Sequence, residues 1–394
     1  MYEHRKEIAG SSFGGSLTRR DCRHLFALDF TWTMVNHGAF GAAPKEVLAY
    51  QDTLRLMIER QPTVHMRRQP AALRRAADLL AKRLGAENGS LAFTDNATTA
   101  VNAVLKSINF PAGGEILLFS HAYSAVTNTA MFVARSRGLT IVTAELPFPH
   151  PEETTVVNAL LSRLSAQTKL VILDHITSSS GILMPVVALI EACHKAGVPV
   201  LVDGAHAPGQ IDLKISELNP AWYVGTCHKW FFAPRAVGFI WANPNNQVPV
   251  HPVVTSKGYD GGFTAEFDWT GTRDVTAALC VEAGSKFHES IGGHDMAASN
   301  HALVCEAANY LADSWGTTTG ARADFFANMA SVELPLAASC AIDAQAATSR
   351  LEDHKCDVSI SYTNHRLWAR ISASMYNIPD DYERLADVVN SLRP

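Results

Sequence analysis

No apolar run in this 394-residue chain approaches the ~18 residues that a membrane-crossing helix requires. The first residues, MYEHRKEIAGSSFGGS, carry charge but no apolar stretch of the kind that marks a secretory signal, so the expectation is a cytosolic protein. Basic residues are not in excess: 33 Lys and Arg against 38 Asp and Glu leave a formal charge of −5, which gives no support to a nucleic-acid partner. The seven cysteines, at 22, 193, 227, 280, 305, 340 and 356, are odd in number and never form CxxC. Reduced thiols fit that pattern better than a disulfide framework or a zinc site. GxGxxG and GxxxxGK[ST] are both missing, so nicotinamide and nucleotide readings lose their main support. His288-Glu289 has no second histidine at the spacing of a zinc hydrolase, and no metal is expected. Gly10 to Gly14 (GSSFG) does match GxSxG, but it follows no strand pattern, which a nucleophile elbow needs. The glycosylation sequons at Asn88 and Asn96 read as chance without a signal peptide.

What is present is an ordinary globular composition, 47% apolar and 18% charged, in a chain long enough for a large core. Residues 1–30 read as an N-terminal arm. Helical patterns follow Pro44 and Pro70, the second stopping at Gly85. Short apolar runs at 115–119, 139–143, 169–173 and 198–202 then alternate with helical stretches such as 155–164 and 186–196. Strand and helix repeated in this way imply a largely parallel sheet covered on both faces. WYVGT (222–226) and VGFIW (237–241) extend the strand set. After about residue 257 the texture changes to long helical patterns from 276 to 315, a hairpin over 356–372 and a last helix from Pro379. The expected organisation is a large α/β domain over 31–257 and a smaller C-terminal α+β domain over 258–394.

In open α/β sheets, ligands bind beyond the carboxyl ends of the strands. Asp203 ends one such run, in LVDGAHAPGQIDL, and Thr226, His228 and Lys229 follow another. TDNATTAVNAVL (94–105) is a turn running into a helix, and a helix start presents free N–H groups and a positive dipole end to an anion. One rim therefore offers a phosphate cradle, an amine and a carboxylate. Pyridoxal phosphate uses all three. Its aldehyde bonds a lysine amine, its pyridine nitrogen stays protonated beside a carboxylate, and its phosphate takes helix-start donors. Asp203 is then assigned to the ring nitrogen and His206 to the ring hydroxyl. The plainer readings are a solvated His-Lys pair and an Asp capping a turn; the convergence of the three groups outweighs them.

VDGAHAPG followed by GTCHKWFFAPRAVGFIW resembles the class V aminotransferase family, of the pyridoxal-phosphate fold type I, and within it the isopenicillin N epimerase-like and cysteine desulfurase-like branch. VNHGAFGAAP (35–44), FTDNATTAVN, EILLFSHAYSAV (115–126), HITSSSGILMPV (175–186), WTGTRDVTA (269–277) and WARISASMYN (368–377) extend the resemblance over most of the chain. The resemblance implies a mostly parallel seven-stranded sheet between helices. It makes Lys229 the cofactor-bonded lysine, with Asp203 and His206 at the ring. Ala97, Thr98, Ser178, Thr226 and His228 join the cofactor-binding set, and Tyr123 lies near the cofactor face in a stacking or acid–base role. Thr272 would reach the phosphate of a neighbouring subunit, which makes a homodimer part of the site. Arg370 would clamp a substrate carboxylate, a bidentate task that suits a guanidinium. Asn36, His37 and Arg273 are further candidates for substrate contacts.

Removal of an amino acid's α-proton opens several outcomes: epimerisation, β-elimination as in C–S lyases, desulfuration, or transamination. Desulfuration needs a nucleophilic cysteine. Cys356 lies upstream of Arg370, but CDVSISY reads as a strand with Cys356 inward, and a packed thiol is inert. Cys227 reads as a small packing residue. The expected activity is β-elimination on a cysteine derivative or its sulfoxide; the alternative is epimerisation of an amino acid, and after it desulfuration or transamination. A catalytically silent scaffold is the non-enzyme alternative, against which Lys229, Asp203 and Arg370 together argue.

Overall fold

Six of the seven short strands of the central sheet carry the apolar runs read from sequence, and Leu91–Thr94 adds one, in the computed structural model, which describes residues 18–393. They are β1 (Leu91–Thr94), β2 (Glu115–Phe119), β3 (Thr140–Ala144), β4 (Thr168–Asp174), β5 (Val200–Gly204), β6 (Trp222–Thr226) and β7 (Gly238–Ala242). They form one sheet in the order β1-β7-β6-β5-β4-β2-β3. Only β7 runs against its neighbours; the pairs from β6 to β3 are parallel. Each of β5, β6 and β7 is buried at every position, as strands covered on both faces must be.

The longer helices around the sheet include α1 (Lys45–Arg60), α2 (Pro62–Arg83), α3 (Ala97–Ser107), α4 (Ser124–Arg137), α5 (Glu153–Leu161) and α6 (Val186–Lys195). Side chains alternate across the sheet, and the two faces diverge. One face joins Leu170, Ile172, Leu201, Val224 and Ile240 to the inward side of α3 (Ala97–Ser107), namely Ala100, Val101 and Val104. The other joins Val171, Leu173, Val200, Val202 and Tyr223 to α2 (Pro62–Arg83) and α6 (Val186–Lys195) through Leu73, Leu80, Leu189 and Cys193. That second core continues into a three-stranded antiparallel sheet of β8 (Met329–Glu333), β9 (Ser359–Thr363) and β10 (Arg366–Ser372), ordered β9-β10-β8. Asn364 and His365 join β9 to β10 with φ of 52° and 62°, the left-handed pair that a two-residue hairpin turn demands.

Several local expectations shift. The helix expected from Pro70 begins at Pro62, which takes the first helical position where the missing N–H costs nothing; Pro70 lies inside α2. The pattern over 276–315 is three helices, Thr276–Leu279, Val281–Ser290 and His294–Trp315, with Gly292 and Gly293 breaking the last pair at φ of 104° and 53°. Cys356 and Asp357 leave the hairpin and pair in parallel with Thr33 and Met34. Of the N-terminal arm, residues 18–30 lie against the C-terminal region. Arg19 donates to Asn300 and to the Ser374 carbonyl, and Arg23 pairs with Asp381 at 2.6 Å. Phe26 packs tilted against Phe232 and edge-on against Phe287 and Tyr376. The GSSFG match at Gly10 to Gly14 lies outside the described residues. Among those residues, no helix is long and apolar enough to cross a membrane.

Candidate active site

The strand ends of the sheet open onto a cavity of about 730 Å³ on the α3 face. This is ample for a cofactor with a substrate beside it. Ten of the residues singled out from sequence line it: Ala97, Thr98, Tyr123, Ser178, Asp203, His206, Thr226, His228, Lys229 and Arg370. They come from six separate segments; five follow or close strands of the central sheet that end at the same rim, and Arg370 reaches it from β10 of the smaller sheet.

Lys229 follows β6 and is buried, with its amine 3.3 Å from each ring nitrogen of His206. Burial pushes its pKa down to about 7; the Arg370 cation pushes the same way, and Asp203 opposes. Half of such amines are neutral near pH 7, the state needed of a nucleophile or base. The backbone around Lys229 is under local strain. Phe232 and Ala236 adopt φ of 57° and 68°, and the Phe232 N–H bonds the Lys229 carbonyl. From the other side, Gly41 (φ 64°) presses its backbone on the same segment, where a Cβ would fall 1.9 Å from the His228 carbonyl oxygen. Only glycine fits there.

Asp203 continues the apolar stripe of β5 and accepts the Ala205 N–H at 3.0 Å. Burial raises its pKa, and Lys229 works against the rise. His206 is held neutral, its pKa driven well down by burial and then by Lys229 and Arg370. Thr226 donates to the Ala205 carbonyl at 2.7 Å and His228 to the Val237 carbonyl at 3.1 Å, which fix both side chains at the rim. Asn96 caps α3 by accepting the Thr99 N–H at 2.8 Å, while Ala97 and Thr98 face the cavity.

Arg370, on β10, is buried, and burial lowers its pKa to about 10. It donates to the Ser178 carbonyl and, at 2.8 Å, to Asn36 Oδ1, while its Nε is buried with no partner. A buried donor left over on a guanidinium fits a carboxylate acceptor.

The remaining expected residues do not line the cavity. Asn36 acts on Arg370 instead, and its amide donates to Asp357 at 3.0 Å. His37 is buried against Trp230 and hydrogen-bonds the Tyr376 hydroxyl at 2.9 Å. Arg273 pairs with Asp95 at 2.5 Å, and Asp95 is the rim residue. Thr272 is exposed. Sequence reasoning missed Asp174, Asp95, Asn96, Phe40 and Arg235, all of which line the cavity. Asp174 had a readable signal, since it closes an apolar run one strand away just as Asp203 does.

The described cysteines are all free, and none lines this cavity. Cys356 is 1% exposed, and burial raises its thiol pKa. Burial also lifts the Cys227 thiol far above the reactive range.

The chain is 30% identical to the putative L-cysteine desulfhydrase 1 of Oryza sativa subsp. japonica, covering 91% of this chain and 82% of that one. It is 31% identical to the L-cysteine desulfhydrase of Arabidopsis thaliana (96% and 92% covered) and 28% identical to the isopenicillin N epimerase of Streptomyces clavuligerus (94% and 98%). Among solved structures, the cystine C–S lyase C-DES has the same fold, with a TM-score of 0.78 at 20% identity over 92% of this chain and 98% of that one. Residues 46–385 match the family Aminotransferase class-V, and the chain is a member of that family.

Proposed function

We propose that this protein is a pyridoxal-5'-phosphate enzyme acting at the α and β carbons of an amino acid, and that its reaction is β-elimination on a cysteine derivative. The convergence of Lys229, Asp203 and Arg370 on one cavity carries the reading. The residues fit the cofactor: a buried amine forming no ion pair with an acid among the described residues, a carboxylate at the cavity floor, and a capped helix start at its side. Lys229 would hold it through the amine, Asp203 would face the protonated ring nitrogen with His206 near the ring oxygen, and Ala97, Thr98, Ser178, Thr226 and His228 would hold the rest. Bound there, it supplies an electron sink for the bonds of the substrate's α-carbon.

The chain's own residues perform the remaining tasks. Arg370 takes the substrate carboxylate through its unpaired donor, and Asn36, itself braced by Asp357, fixes the guanidinium plane. Lys229, with its pKa near 7, accepts the α-proton as a neutral amine. Phe40 and Tyr123 stand at the mouth. Desulfuration is disfavoured because no cysteine among the described residues lines the cavity. Epimerisation is the second reading, supported by the similar identity to isopenicillin N epimerase. The exposure of Thr272 outside its own cavity supports a homodimer in which that turn serves the second subunit.

Incubation of the purified protein with L-cysteine and S-substituted cysteines tests the reaction. Pyruvate release is expected. Alanine with protein-bound sulfur would replace the proposal with desulfuration, and solvent deuterium in an otherwise unchanged, racemised amino acid would replace it with epimerisation.

A further inference from the structure

Asp174 is a carboxyl lining the cavity that the proposed mechanism does not use. It ends β4 as Asp203 ends β5, and strand register pairs the two residues directly. Opposed residues on neighbouring strands share a sheet face. Asp174 therefore extends the stripe of Leu170 and Ile172 as Asp203 extends that of Leu201, and both carboxyls line the cavity. They are 4% and 5% exposed. Among the described residues neither forms an ion pair within 4.0 Å.

Their surroundings differ. Asp203 feels the Lys229 cation and accepts the Ala205 N–H. Asp174 feels the backbone N–H groups of Tyr123 and of its own residue, which favour its charged form, and the Asp203 charge, which opposes it. The titratable groups that line the same cavity are Asp203 and His206 from β5 and its turn, His228 and Lys229 after β6, Arg235 before β7, Arg370 from β10, Asp95 after β1 and Tyr123 after β2. His175 turns away to the Tyr223 hydroxyl at 2.8 Å. Two dry, adjacent carboxyls do not both ionise. Burial and then the Asp203 charge drive the pKa of Asp174 well up.

We propose that Asp174 is a positioning residue that keeps its proton beside Asp203, so that the floor of the site carries one negative charge and a neutral hydrogen-bond donor rather than two charges. Asp203 alone is then the counter-charge for a cationic ring, and the Asp174 O–H dipole steadies it. The role toward the ring rests on the proposed function; the shared floor and the proton do not.

The test has an arm that needs no cofactor. Infrared difference spectra of cofactor-free protein at pH 7, wild type minus Asp174→Asn, are expected to show a protonated carboxyl stretch. A carboxylate pair of bands in its place would overturn the proposal. Should Asp174→Asn fail to fold, the carboxyl resonances of isotope-labelled aspartate in the wild type serve alone, one of them expected at its protonated position at pH 7. In cofactor-loaded protein, the pH profile of the visible band is expected to be unchanged in Asp174→Asn, which keeps a neutral donor, and shifted in Asp174→Leu, which does not. A displacement of the Asn profile by about one unit or more, the effect of removing a like charge, would sink the idea. So would an unshifted Leu profile. If the protein takes up no pyridoxal phosphate but the protonated carboxyl is present, the functional reading falls and the Asp174 proton stands.

Discussion

The two faces of the central sheet begin alike and end differently. On the α2 side, Leu173 and Val202 stay apolar to the last residue and close into a dry core with Cys193 and Leu189. On the α3 side, Ile172 gives way to Asp174 and Leu201 to Asp203, and the face opens into a cavity holding Lys229. One residue per strand converts packing into chemistry. Burial has opposite consequences on the two faces. Apolar groups gain from leaving water, while each charge-bearing group is forced toward its neutral form.

The comparison is tested most severely at Lys229. Lys229→Ala is expected to abolish the visible absorption of cofactor-loaded protein and lower turnover by roughly 10⁴-fold or more. A variant that keeps the visible band would mean that the amine is not the bonding group.

The stability of cofactor-free protein probes the same residue. The folded pKa of Lys229 is about 7 against an ordinary 10.5, so between those values the unfolded chain binds more protons than the folded one. Stability then rises with pH across that window, and the full cost of burying the cation is felt below it. Lys229→Met is expected to melt above wild type at pH 6, with the gap closing as pH climbs from about 7 toward 10. A gap independent of pH would point to packing rather than charge.

Arg370→Lys keeps the charge but loses the planar fork. KM is expected to rise roughly ten- to a hundredfold with a smaller change in kcat, as for a lost charged hydrogen bond of about 1.5–3 kcal/mol. An unchanged KM would place the substrate carboxylate elsewhere.

The smallest effect belongs to the dry face. Val202→Ala, one residue from Asp203, is expected to cost about 1–3 kcal/mol in denaturant unfolding and to leave the visible band unchanged. A spectral shift would show that the faces are coupled through the strand.

The strands and most of the cavity were legible because both rest on local rules. A buried parallel strand must be an apolar run, and the first polar residue after it must stand at the rim; Asp203 and the Thr226–Lys229 stretch followed from that alone. The same rule reaches Asp174, whose run was read one residue short. His37 and Asn36 show the limit. Adjacent in sequence, they part company in space, His37 packing under Trp230 and Asn36 reaching Arg370, because a short helical turn sends neighbouring side chains in different directions.

By itself, the sequence determined six of the seven central strands and the rim positions of Lys229 and Asp203, since periodicity and strand ends are properties of a few consecutive residues; it did not mark β1 or β8. Only the tertiary structure decided that Asp174 lies across from Asp203, that Arg370 is steadied by Asn36 and Asp357, and that Cys356 is sealed away. Those relations depend on strand register and on contacts across more than three hundred residues, which no local pattern encodes.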